Sequence, residues 1–163
     1  MSGRDAAAGA VAAIAWAALE PLDRRLFACD YSDVALLGKA VTRKRGWRAA
    51  GLAIHAGNGA AFGVLYGTLR GRFAMPPRRL AVALALAEHV GLYPLCWFVD
   101  RYHPARGDDG VPPLLTNGRA FAQATARHLL FGLLLGALTD EGRRAAARPG
   151  SRLRRAAAAR RCP

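Results

Sequence analysis

No formal charge lies between Arg48 and Arg70, and of 24 Lys and Arg only Arg127 falls well inside an apolar stretch. A soluble basic protein spreads its cations along its helices; here they are confined to the termini and to the segments between apolar runs. That absence excludes an ordinary soluble basic domain, because hydrocarbon penalises each central charge by at least about 2.5–3.5 kcal/mol. Acids are scarce as well, 11 Asp and Glu leaving a formal net charge of +13. The three cysteines, Cys29, Cys96 and Cys162, form no C-x-x-C, which excludes a sequence-encoded zinc site. Cys96, inside an apolar run, reads as an inert small hydrophobe. P-loop, G-x-S-x-G, H-E-x-x-H and dinucleotide fingerprints are all missing. Gly57-Asn58-Gly59 lies within an apolar run rather than after a strand, so it is not a phosphate loop. No nucleophile has a partnered base, so the chain is read as a non-enzyme. Asp108-Asp109 is too short a run of acids for a calcium loop.

What is present is a ladder. Gly51, His55, Gly59, Gly63, Gly67 and Gly71 recur every fourth residue, which aligns them on one helical face. Each glycine weakens a helix in water by about 0.8–1 kcal/mol relative to alanine. In lipid, small residues at that spacing let a second helix approach closely. The expected fold is all-α: an integral membrane four-helix bundle with spans at about 6–22, 49–69, 80–99 and 120–139. The first is the weakest, since only 14 uncharged residues precede Glu20-Pro21. It spans by extending past Glu20, or it is a cleaved signal peptide. Between the first two spans, Ser32 and Asp33 open a short helix whose Val34, Leu37, Gly38 and Val41 share a face. It is expected in the headgroup layer, with Trp47 as an interface anchor. Basic residues number thirteen on the side of the termini and ten opposite. The cluster between Arg70 and Arg79 and the Arg-rich tail adjoin spans, so both termini are placed in the cytoplasm of a cell-membrane protein. Residues 143–163 form a polybasic, disordered tail that suits anionic lipid headgroups. Without interleaved aromatics, that tail is not expected to bind nucleic acid.

Four polar residues fall inside the spans as a buried layer: Glu88, His89, Arg127 and His128. Their depths suggest a Glu88–Arg127 ion pair that fixes the register of the third and fourth spans. Asp23-Arg24 and Asp100-Arg101 are expected to pair locally. His55 and Asn58 join the layer as a ligand or proton path. Three histidines on three helices also suit a metal or bis-histidine haem, the glycines beside His55 and His128 leaving room for a macrocycle. No cofactor is the primary expectation, with haem the alternative.

The two halves echo each other. His55, Gly59, Gly63 matches His128, Gly132, Gly136, and each is preceded by a run ending in Asp-Arg with a proline upstream, Pro21 or Pro94. A duplication would make two helical hairpins related by an axis along the membrane normal. The ladder with H-A-G-N-G and the run-ending D-R-Y-H-P together resemble small bacterial membrane proteins with four alanine- and glycine-rich helices. That resemblance implies a fold and no activity. The primary functional expectation is a non-enzymatic, structural protein that binds partner helices or further copies through Gly51, Gly59, Gly63, Gly67, Gly132 and Gly136. The rival is a haem or metal bundle, or a small-solute or proton transporter using the intramembrane His and Glu.

Overall fold

The computed structural model describes residues 2–147, and among them all regular structure is helical. The helices are α1 (Ser2–Leu26), α2 (Asp33–Val41), α3 (Trp47–Leu69), α4 (Pro77–Leu92), α5 (Cys96–Tyr102) and α6 (Gly118–Ala147). A 3-10 turn at Tyr93–Leu95, carrying Pro94, joins α4 to α5. The expected tail is helical through Ala147; its remainder, 148–163, lies outside the described residues.

Three helical stretches are long and apolar enough to cross a membrane: Gly3–Leu26, Pro77–Tyr102 and Gly118–Glu141. Only 11% of the most apolar part of Pro77–Tyr102 is buried within the chain. Its apolar side chains therefore face outward, the reverse of a soluble amphipathic helix. The 23-residue α3, the segment the ladder marks, is not among the three. It is long enough at about 34 Å, but glycine, His55, Asn58 and Tyr66 dilute its apolar character. The weak first run instead qualifies, because α1 continues unbroken through Glu20 and Pro21.

α1 and α3 pack antiparallel, and the glycine ladder is why. A Cβ on Gly9 would fall on the Gly59 carbonyl, and one on Gly63 would fall on the Asp5 carbonyl. Backbones this close exchange dispersion and Cα–H···O contacts that larger residues would block. Near the same end, Asp5 takes a 2.9 Å ion pair from Arg70. Further along α3, Gly51 meets the Val34 carbonyl and Gly38 meets the Trp47 carbonyl. α2 thus lies in the same groove of α3 that α1 occupies nearer the other end.

The second half repeats the device more loosely. α4 and α6 run antiparallel, with a Cβ on Gly132 reaching 2.6 Å from Val82 Cα and one on Gly136 reaching 2.6 Å from Arg78 Cα. α1 bridges the two pairs by also touching α6. The shared core is Ala12, Ala13, Trp16, Phe62, Tyr66, Leu80, Ala81, Ala85, Phe131 and Leu135. It closes the end nearer the α3–α4 link with aromatic and aliphatic packing. The opposite end, where α2 and the loop between α5 and α6 sit, combines a second apolar cluster of Cys29, Tyr31, Leu114, Ala120 and Ala124 with buried charged groups.

The short helix does not lie alone on a surface, as the sequence suggested, but is strapped into the protein. Ser32 caps it as expected, its Oγ accepting from Ala35 N–H at 3.1 Å. The loop before α6 covers its outer side. His103 Nδ1 accepts from Ala105 N–H, so Nε2 carries the proton and donates to the Leu36 carbonyl at 2.9 Å. Gly110, at φ +83°, accepts from Ser32 N–H at 3.0 Å and would clash with Ala35 if it carried a Cβ.

Candidate functional site

Arg127 is the anchor of the polar end. Its side chain is 2% exposed, and burying a guanidinium costs several kcal/mol unless its donors are met. Here they are. Nε and Nη2 grip Asp23 at 2.5 and 2.6 Å, Nη1 donates to Asp33 at 2.6 Å, and Nη2 also reaches the Tyr31 carbonyl at 3.1 Å. Glu20 stands 3.8 Å from Nη1, and the Tyr31 ring centroid lies 5.2 Å from the guanidinium carbon. The planar fork of arginine suits two carboxylates at once in a way a lysine could not.

The carboxylates are held in turn. Glu20 accepts from Ser32 Oγ at 2.5 Å and from the Asp33 and Val34 N–H groups at 2.9 and 3.3 Å. A side chain of α1 therefore satisfies donors of the first turn of α2, where a negative charge is favoured. Asp100 does the same in the second half, accepting from Leu114 and Leu115 N–H at 2.8 and 2.9 Å. Gln123 donates to Asp23 at 2.7 Å. Burial alone would raise the Asp33 carboxyl, but the adjacent Arg127 charge overrides it and holds Asp33 below its ordinary value. The Tyr31 phenol, pushed well up by burial and by Asp33, stays protonated and donates to Asp33 Oδ1 at 2.6 Å.

This network corrects the expected ion pair. Glu88 makes no ion pair among the described residues; it is exposed, while Arg127 turns toward α1 and α2. Equal depth does not imply contact. Positions 125, 128, 132 and 136 face α4, and residue 127 is rotated about 100° from 128. Asp23 and Asp100 likewise bind Arg127 and backbone N–H groups rather than the arginines beside them, and Arg24 pairs with Asp30. The available signal was the concentration of acids: Glu20, Asp23, Asp30 and Asp33 crowd 14 residues of a chain with 11 acids.

The histidines do converge, though not all on one space. Trp16 lies edge-on to both His55 (5.0 Å between centroids) and His128 (4.8 Å), and His128 stacks on His89 at 4.6 Å. His128 Nδ1 donates to the Ala124 carbonyl at 2.8 Å. Thr125 gives its proton to the Phe121 carbonyl and so accepts from His89 Nε2 at 3.0 Å.

Beside this row is a cavity of about 150 Å³, floored by Ala13 and Trp16 and walled by Asp33, His55, His128 and Phe131. Exposed Asn58 and Glu88 also line it. Among its lining residues, Trp16 Nε1 and His55 Nε2 are fully buried and have no hydrogen-bond partner. A second cavity, of about 120 Å³, touches the other side of His128 and is lined by Tyr31, His89, Tyr93 and Cys96. The ring of His128 therefore borders both.

The space that a macrocycle would need beside Gly59, Gly63, Gly132 and Gly136 is filled by α1 and α4. Gly51, Gly59, Gly63 and Gly67 face α1 and α2 instead of a partner protein. Among the described residues no group of three or more His, Cys, Asp and Glu is arranged to hold a metal ion. Comparison with known protein families, curated proteins and solved structures finds no match for this chain.

Proposed function

We propose that the chain is an integral membrane four-helix bundle that binds and passes a small polar solute or protons through the His55 cavity. In this reading α1/α3 and α4/α6 are two repeated hairpins, both termini face the cytoplasm, and no reaction is catalysed. The observation that carries it is a cavity of about 150 Å³ between the helices, lined by the polar side chains of Asp33, His55, Asn58, Glu88 and His128.

The purely structural alternative relied on glycine faces that recruit other helices. Those faces are consumed inside the chain, which favours the cavity as the functional element. The test is flux. Purified protein in liposomes with an entrapped pH dye should dissipate an imposed proton gradient, or pass small polar solutes in a swelling assay, faster than empty liposomes. His55→Ala with Glu88→Gln should abolish that excess. Flux equal to empty liposomes for protons and every solute would return the structural reading to first place.

A further inference from the structure

We propose that the ring of His128 is the gate between two chambers of one passage, and that the passage serves small uncharged solutes. This rests on the solute-passing reading above, of which it names the gate and the solute class. His128 is the one residue shared by the walls of the cavities of about 150 and 120 Å³. Neighbouring residues of α4 divide the same way, Glu88 lining the first and His89 the second. The partition therefore runs through the His128 ring, with the His89 ring stacked on it at 4.6 Å. Of the three rings that meet here, His128 is held least. Trp16 is 5% exposed and wedged among His55, His128 and Phe131. His89 is 6% exposed and tied across to α6 through Thr125. The half-buried His128 bonds within its own helix, to the Ala124 carbonyl. Among the described residues, swinging its ring aside breaks no hydrogen bond between helices, whereas moving His89 breaks one.

The second chamber sets the solute class. Among the described residues, no Asp, Glu, Lys or Arg lines it. Its tyrosine hydroxyls are already committed, Tyr31 to Asp33 at 2.6 Å and Tyr93 to the Leu114 carbonyl at 2.8 Å. An ion crossing this space sheds water and meets no counter-charge, a penalty that an uncharged solute avoids. The first chamber, with Asp33, Asn58 and Glu88, offers polar groups to a solute arriving from water. Volume limits its size. At about 30 Å³ per water, the smaller chamber has room for about four waters, or a solute of four to five heavy atoms.

The test uses the full chain in lipid nanodiscs, both faces open to solution, with Cys29→Ser and Cys162→Ser so that Cys96 alone reports on the second chamber. His128→Ala should speed alkylation of Cys96 by iodoacetamide about fivefold or more, as the loss of two ring contacts gives. His128→Phe keeps a ring in the partition and should stay near wild type. Iodoacetate, of the same size but charged, should gain far less from His128→Ala. Asn58 is exposed, so Asn58→Trp should fold, and by filling the first chamber it should cancel the gain. In the wild-type background the same substitution should slow iodoacetamide, a readout that stands even if His128→Ala does not fold. An unchanged rate in His128→Ala, an equal gain in His128→Phe, or no effect of Asn58→Trp overturns the gate. An equal gain for iodoacetate overturns the restriction to uncharged solutes. Flux through wild-type protein in liposomes alongside any of these results leaves the cavity reading standing, whereas absent flux overturns that reading as well.

Discussion

Arg127 shows how far a single buried charge can organise its surroundings. Removing it strands Asp23 and Asp33 without their counter-ion, and breaking a buried pair costs about 3–5 kcal/mol. Arg127→Leu should therefore lower the thermal midpoint in detergent by several degrees. Arg127→Lys, which keeps charge but loses the fork, should fall between it and wild type. Glu88→Gln should leave that midpoint nearly unchanged, since Glu88 is exposed and makes no ion pair among the described residues. A larger loss in Glu88→Gln than in Arg127→Lys would contradict the network. Acid provides a separate check. Because the folded-state carboxyl of Asp33 sits below its unfolded value, its contribution is complete above about pH 4 and is lost as pH falls through the folded value. Asp33→Asn should start less stable at neutral pH and show a shallower acid limb in pH-dependent unfolding. At this scale the sequence named Arg127 as the odd residue, but not its partners. Depth along a helix can be counted from residues, whereas azimuth depends on how the helices are rotated against each other.

Helices are where the sequence was most legible. From Gly51 to Gly67 the four-residue glycine period runs along a close contact with α1 and α2, Gly71 meets nothing within 4 Å, and Ser32 marked the start of α2. The period did not say what fills the face, because a neighbour within the chain and one from another protein demand the same small residues. Two alanine substitutions on α3 separate packing from propensity. Gly63→Ala places a methyl on the Asp5 carbonyl and should destabilise by about 1–3 kcal/mol, as overpacking does. Gly57→Ala meets nothing within 4 Å and should be neutral or stabilising by up to about 1 kcal/mol. Thermal unfolding of both variants in detergent, side by side, measures the difference. α1 was harder to read. Counting apolar residues stops at Glu20, yet the helix carries that carboxylate inward to the first turn of α2 and to Arg127. A charge answered within the fold does not end a membrane-compatible helix.

On the scale of the whole molecule, buried charge gathers in two places: the Asp5–Arg70 pair near the α3–α4 link and the Arg127 network beside the strapped α2. The apolar core with Phe62, Phe131, Tyr66 and Leu135 lies between them. The proposed four crossings would put the two termini on one side. Reporter fusions at the N- and C-terminus should give the same compartment signal, and alkaline carbonate should leave the chain in the membrane pellet. Opposite signals would mean that α3 does not cross.

The partners of Arg127 have a consequence for biogenesis. They all lie between Glu20 and Asp33, about a hundred residues earlier in the chain. During synthesis these acids leave the ribosome long before their cation, and they must wait in the translocon or at the water interface. A chain truncated before its last helix can never neutralise them. It should be recognised as unfinished and degraded by membrane proteases, so the arginine doubles as a built-in sign that α6 has been made.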